Sequence, residues 1–347
     1  MAGADDAAGD AAHKNELTQM AMGYFRSRAL SAAARLGVAD ALGDGSRSLG
    51  DLAAACNAQP ASLHRLLRAL ASFGVIAETT PCHFILTPFG QPLRKDDPNS
   101  EWASVVFWSD LLADSWSYLA DCVRNGEAAG RIMQREGVAS RWSKDPDARS
   151  IFGAVMGTAP AEQYEPIVRA WGDFLNHRTV ADLGGGGGGL ITTILNAYPG
   201  LHGVLVDRPE FIDKAAARLE REGLAGRCRL VGADLLRGVP AGADVYLLKH
   251  VLHGYADEAV IQILTHCRSV VPAGGRLLVI EFVLPGVVNN ADTELELRLM
   301  SDLNMLVVTG GKERSASEWR NLLTGASFEC QRIIPVSGDL VSIIEAA

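Results

Sequence analysis

The run Thr179-Val-Ala-Asp-Leu-Gly-Gly-Gly-Gly-Gly-Gly-Leu190 decides how this chain is read. Apolar and β-prone residues lead into six consecutive glycines, and Leu190, Ile191, Ile194 and Leu195 follow at helical spacing. The pattern is strand, turn, helix. Glycines permit a tight turn and close approach of a ligand, and the first N–H groups of the helix face that ligand. An adenosine-bearing cofactor is the natural guest, but the glycines alone do not choose it. Gly184, Gly186 and Gly189 satisfy the dinucleotide fingerprint G-x-G-x-x-G, while Gly184, Gly186 and Gly188 satisfy the G-x-G-x-G turn used around S-adenosylmethionine. About twenty residues on, Gly203-Val-Leu-Val-Asp207 reads as a strand ending in an acid suited to ribose hydroxyls.

Downstream the alternation is regular. The spacing predicts helix 189–197, strand 203–207, helix 210–222, strands 228–233 and 243–249, helix 257–270, strand 276–283, and helices 294–307 and 316–324. Near-continuous apolar strands such as Val245-Tyr-Leu-Leu248 and Leu277-Leu-Val-Ile280 suit a parallel sheet covered on both faces. The tail, Phe328 to Pro335 and Leu340 to Ala346 across a Val-Ser-Gly-Asp turn, reads as an antiparallel hairpin. A parallel sheet closed by such a hairpin favours a methyltransferase sheet over a dehydrogenase one.

Upstream, residues 1–15 are rich in Ala, Asp and Gly and are expected to be a disordered tail. Apolar residues at helical spacing over Tyr24–Leu42, then Leu49–Ala55 and Pro60–Ala71, precede two short strands, Gly74–Ala77 and His83–Thr87. Three helices and two strands make a winged-helix pattern, with His64, Arg65 and Arg68 on what would be a recognition helix. Residues 1–95 nevertheless hold nine Lys or Arg against eight Asp or Glu, no footprint for DNA. A subunit interface explains the apolar first helix better. Residues 101–175, with Phe107, Trp108, Trp116, Met133, Trp142, Phe152 and Met156, read as a helical linker and lid.

Composition sets the remaining bounds. A formal charge of −9 argues against polyanion binding, and no apolar run approaches the length of a membrane span. With no signal-peptide pattern, the expectation is a cytoplasmic protein. Six cysteines without a C-x-x-C pair suit reduced, mostly buried thiols.

In open α/β sheets, ligands bind beyond the carboxyl ends of the strands. The polar residues expected there are Asp207, Asp234, Lys249, His250, His253 and Glu281, with Glu313 in the loop Thr309–Ser315. A near-neutral imidazole beside the cofactor suggests a general base, and a carboxylate on its far nitrogen would fix the tautomer. Two histidines compete for that role. They also form an H-x-x-H pair, for which the sequence offers no evident third metal ligand.

Val180-Ala-Asp-Leu-Gly-Gly-Gly-Gly-Gly, Gly232-Ala-Asp234, Leu248-Lys-His-Val-Leu-His253, Leu278-Val-Ile-Glu281 and Asp302-Leu-Asn-Met-Leu with Gly310-Gly-Lys-Glu-Arg314 together resemble one family. It is the S-adenosylmethionine-dependent O-methyltransferases typified by caffeate and hydroxyindole O-methyltransferases and by antibiotic-tailoring bacterial enzymes. The likeness runs from about Tyr24 to the C-terminus. It implies an α/β fold, a Rossmann-like sheet with a terminal antiparallel hairpin at 176–347, preceded by a winged-helix dimerisation domain at 16–100. It implies His253 as the base, flanked by Glu281 and Glu313. It also implies a cofactor set of Gly184 and Gly186 for the methionine part, Asp207 for the ribose, Asp234 and Leu235 for the adenine, and Lys249 near the methionine end. Phe152, Met156 and Met305 fall on pocket positions. Two departures stand out. Gly254 and Tyr255 replace the Asp and Trp that usually follow the base, and Gly187 occupies a turn position often held by His, Arg or Thr.

The implied function is methyl transfer from S-adenosylmethionine, leaving S-adenosylhomocysteine, to a hydroxyl of a small molecule, with no metal. A phenol is the expected acceptor, since its proton must be removed as attack proceeds. The implied assembly is a homodimer that engages neither nucleic acid nor membrane. The rival readings are methylation of nitrogen or sulfur, a family member that keeps the cofactor for a non-methylating step, a nicotinamide oxidoreductase and a DNA-binding regulator.

Overall fold

The computed structural model describes residues 2–157, 163–288 and 293–347 of the chain. They form two compact units, Met1–Asp114 with Ser140–Phe152, and Ser115–Ala139 with Gly153–Ala347. Residues 101–175, expected as one linker and lid, are divided between the two units.

The first unit opens with helices α1 (Ala2–Leu36) and α2 (Val38–Leu42), separated by Gly37 in the left-handed region at φ 68°. Because α1 begins at Ala2, the segment expected to be disordered is helical; its many alanines are the best helix formers available. Strand β1 (Arg47–Ser48), α3 (Leu49–Ala55), α4 (Pro60–Ser72), β2 (Ile76–Thr80), β3 (His83–Leu86) and α5 (Trp102–Val106) follow. The Gln59 side chain caps α4, Pro60 opens it, and Leu63, Leu67 and Leu70 form its buried stripe. The antiparallel order β1-β3-β2 gives the wing a third strand, too short to carry a periodic signal in the sequence. After α5, a π-helical turn, Phe107–Leu111, carries Asp110. Helices α6 (Ala113–Ser117), α7 (Leu119–Asn125), α8 (Ala129–Glu136), α9 (Arg141–Lys144) and α10 (Ala148–Gly157) complete this half of the chain.

The second unit continues with α11 (Glu165–Trp171), β4 (Thr179–Leu183), α12 (Gly189–Ala197), β5 (His202–Asp207), α13 (Pro209–Arg221), β6 (Cys228–Gly232), β7 (Val245–Lys249) and α14 (Asp257–Val270). Then come β8 (Arg276–Leu284), α15 (Thr293–Val308), β9 (Arg314–Ser315), α16 (Ala316–Gly325), β10 (Cys330–Pro335) and β11 (Val341–Ala346). The sheet order is β10-β11-β8-β7-β4-β5-β6, with β9 paired to the end of β8. Strands β4 to β8 run parallel, and the terminal hairpin adds antiparallel to β8.

Strict alternation explains why both faces are covered. Val180, Val245, Leu247, Leu278, Ile280 and Ile343 pack with α11, α12 and α13, whereas Ala181, Leu183, Tyr246, Leu248, Leu277, Val279 and Ile344 pack with α14 and α16. Helices on both faces leave the carboxyl ends of the strands as the place where loops meet. No helix among the described residues is long and apolar enough to cross a membrane.

Asp110 organises the ion pairs of the first unit. It meets Arg28 at 3.1 Å, Arg35 at 2.9 Å and Arg141 at 2.9 Å, tying α1 and α9 to the π turn. Burial opposes its charge, but Arg35 and Arg28 prevail and hold its carboxyl below the ordinary value. A depressed carboxyl stabilises the fold above its unfolded pKa, and that contribution is lost as pH falls through the folded one. Since the three arginines stay partly exposed, Asp110→Ala is expected to cost about 1–3 kcal/mol at pH 7. Denaturant unfolding at pH 7 and in acid checks this: the gap between variant and wild type closes as the carboxyl protonates.

Candidate active site

The glycine turn begins where β4 ends. Gly184, Gly186 and Gly188 all sit in the left-handed region, at φ 71°, 53° and 77°, which side-chain-bearing residues rarely adopt. A Cβ at Gly184 would meet Val251 Cγ2 at 2.6 Å, whereas one at Gly186 meets nothing within 4 Å. The space over Gly186 is therefore open. Its N–H donates to Asp207 Oδ2 at 2.7 Å, so the acid that ends β5 is fastened to the turn. Helix α12 starts immediately beyond, its first N–H groups and positive dipole end directed at the same place.

Asp234, exposed after β6, accepts from Leu236 N–H at 3.0 Å, and Leu235 beside it is buried. Lys249 ends β7, its ammonium 5.5 Å from the ring of Tyr164. Burial pulls its pKa down, against the opposing influence of Asp339, Glu281 and Asp182. Asp182, on β4, went unremarked in the sequence reading. It is buried beneath the turn, its Oδ2 without a partner, and burial with Asp207 nearby pushes its carboxyl up to about 7. Open space over Gly186, the start of α12, an acid at the turn and an unpartnered carboxyl oxygen below it fit an adenosyl amino acid.

The histidine pair follows β7. His250 is held at φ 51°, a costly conformation for a non-glycine residue, and stacks on His253 at 5.3 Å. Glu281, on β8, is fully buried, and its Oε1 accepts from the backbone N–H groups of Val251 and Leu252 at 2.9 Å and of His253 at 3.3 Å. Its Oε2 lies 3.3 Å from His250 Nδ1 and 3.5 Å from His253 Nδ1. Glu313 Oε1 takes up His253 Nδ1 at 2.8 Å and accepts from Ser301 Oγ at 2.8 Å. A carboxylate oxygen accepts, so Nδ1 carries the hydrogen and Nε2 the lone pair.

The pKa values of the two histidines are shifted in opposite directions. Burial lowers the pKa of His250, helped by the Lys249 charge. Burial also works against a charged His253, but Glu281 and Glu313 outweigh it and raise its pKa. The same histidines, together with backbone donors, hold Glu281 below its usual value despite its burial. His250, His253 and Glu281 present donor atoms within 4.8 Å of one another, so the third ligand not evident beside the H-x-x-H pair is supplied by the fold.

The loop after α15 is held closely. Gly311 lies against the chain at His253: a Cβ there would stand 2.0 Å from His253 O. Lys312 N–H donates to that oxygen at 2.9 Å, and Glu313 N–H donates to Asp302 Oδ1 at 2.8 Å. Arg314, fully buried, donates to Leu252 O, Tyr255 O and Asp257, fastening the segment after His253 to the loop that bears Glu313. Met305 lies one helical turn beyond Ser301 on α15, on the face that reaches Glu313. Met156 is half exposed on α10. Phe152 belongs to the first unit, packed against Phe107 and Trp142 at 5.9 and 5.6 Å.

Comparison with known proteins agrees with this architecture. A family model for the O-methyltransferase domain matches residues 116–329, and one for an O-methyltransferase dimerisation domain matches residues 18–95. O-demethylpuromycin-O-methyltransferase of Streptomyces alboniger is 36% identical, covering 99% of this chain and 91% of its own. 8-Amino-8-demethylriboflavin N,N-dimethyltransferase of Streptomyces davaonensis is 32% identical over 91% of this chain and 90% of its own. The crystal structure of an O-methyltransferase from neocarzinostatin biosynthesis, in complex with S-adenosylhomocysteine and 1,4-dihydroxy-2-naphthoic acid, superposes with a TM-score of 0.78 at 32% identity, covering 93% of this chain and 95% of that one. The glycine turn, the paired carboxylates about one histidine and these relationships agree: the chain belongs to the S-adenosylmethionine-dependent O-methyltransferase family.

Proposed function

We propose that this enzyme methylates a hydroxyl, most simply a phenolic one, of a small aromatic molecule, with His253 as general base. The observation that carries this reading is His253 Nδ1 bonded to Glu313 at 2.8 Å beside the buried Glu281, which makes Nε2 the basic atom. When bound, S-adenosylmethionine supplies an electrophilic methyl group on its sulfonium. Gly184 and Gly186 would hold its methionine part, Asp207 its ribose hydroxyls, Asp234 with Leu235 its adenine, and Lys249 would neutralise its carboxylate. Met156 and Met305 would wall the acceptor pocket on the second unit.

His253 Nε2 takes the acceptor's proton as its oxygen attacks, and the imidazolium is balanced by the carboxylates of Glu281 and Glu313. The reaction so read requires no metal. Gly254, where the family usually has Asp, puts no polar side chain beside the base, which suits an acceptor apolar near its hydroxyl. The neocarzinostatin relative is in complex with a dihydroxynaphthoic acid, which supports an aromatic substrate class. The riboflavin-type relative acts on nitrogen, so amines belong in any acceptor panel. Leu17, Met20, Tyr24 and Phe25 are exposed on α1, and a second copy of the chain covering them would make the homodimer that the dimerisation domain suggests.

Two experiments test the assignment. With labelled S-adenosylmethionine and a panel of phenols, amines and thiols, His253→Ala is expected to lose about 10²- to 10⁴-fold in turnover to a phenol while still binding cofactor. Full turnover in that variant would overturn it. The pH dependence follows from the raised His253 pKa. The base works only when neutral, so kcat/KM rises with pH through a midpoint above the ordinary value of about 6.5. Glu313→Gln removes one of the raising charges, and should move that midpoint to lower pH as well as slow turnover; an unmoved midpoint would contradict the account.

A further inference from the structure

The wing of the first unit gathers three metal-ligating side chains that methyl transfer does not use. His64 lies on α4, Glu78 on β2, and Cys82 in the two-residue loop joining β2 to β3. Their donor atoms all fall within 4.8 Å of one another, with His64 Nε2 3.8 Å from Glu78 Oε1. We propose that His64, Glu78 and Cys82 form a divalent-cation site, filled by zinc, that fastens the β2–β3 hairpin to α4.

Three independent features support it. Cys82 has φ 62°, and in a two-residue loop whose first position is Pro81 the second calls for glycine or asparagine. A cysteine at this position gains nothing for the turn, so a demand on its sulfur explains it better. Glu78 Oε1 accepts the Cys82 N–H at 2.9 Å, which aims the carboxylate at the loop. His64 Nε2 is screened from solvent and makes no hydrogen bond; its nearest charged partner is Glu78 Oε1, at 3.8 Å, beyond hydrogen-bond reach. His64 is further held edge-on by Phe84 at 6.1 Å.

The chemistry selects the ion. One thiolate, one imidazole and one carboxylate make a mixed, borderline-soft set of the kind Zn²⁺ takes in tetrahedral geometry. With bonds of about 2.0–2.3 Å, donors on one tetrahedral ion stand roughly 3.3–3.7 Å apart. The present spacing therefore needs only side-chain rotation of the exposed Cys82 and Glu78. Water completes the fourth position. On binding, the Cys82 thiol gives its proton to solvent, so affinity falls as the pH is lowered.

Cobalt titration of the full-length, metal-stripped protein tests the site. One equivalent should produce a thiolate-to-cobalt charge-transfer band in the near ultraviolet, and zinc should abolish it by displacement. Cys82→Ser should lose the band. The cluster of His250, His253 and Glu281 holds no sulfur and cannot give it. His64→Ala should weaken zinc at least tenfold. Cys82→Gly serves as the folding control: freed of the strained φ, it should melt no lower than the apo wild type, yet give no thiolate-to-cobalt band. Absence of the band in wild type, or a band that survives in both Cys82 variants, would overturn the proposal.

Discussion

The second unit depends on one buried carboxylate. Glu281 has no access to solvent, and its two oxygens do different work. Oε1 gathers three successive backbone N–H groups from Val251 to His253, which sets the turn after β7. Oε2 faces both imidazoles. A buried ionised acid is tolerated only when hydrogen bonds and an opposite charge answer it. That requirement makes His253 the favoured seat of positive charge in the site, the property a base needs as it accepts a proton.

Everything near this acid is fastened in turn. Glu313 reaches His253 because Gly311 lets its loop lie against the chain there and Arg314 ties that loop to Leu252 and Tyr255. Ser301 and Asp302 hold Glu313 from α15. On the other side of the strand ends, Gly186 binds Asp207, and Gly184 leaves room only for Val251, the residue whose N–H Glu281 holds. The glycine turn and the turn after β7 thus meet through Val251, so one substitution there would be felt at both.

Much of this was legible in the residues. The alternation after Val180 placed the elements from β4 to β11 within a few residues, because periodicity and apolar runs are local signals. Two-residue strands such as β1 and β9 carry no such signal. Residues 1–15 were misread because their polar and small residues suggest disorder while their alanines favour helix. In the site, His253, Glu281 and Glu313 came from motifs, yet spacing did not reveal that Glu281 also holds three N–H groups, or that it faces His250 as well as His253. Asp182, Ser301 and Arg314 were passed over as individuals because their importance lies in burial and partners. A polar residue in an apolar strand, as Asp182 is, was the one local sign available.

The central claim is that neighbouring carboxylates make His253, and not His250, the protonatable imidazole. Nitrogen NMR of the full-length protein labelled at histidine, assigned through His250 and His253 substitutions, measures this directly across a pH titration. The account predicts that His253 titrates above the ordinary histidine value with its proton on Nδ1 when neutral, while His250 stays neutral to lower pH. A His253 that titrates below His250, or that carries its neutral proton on Nε2, would contradict it.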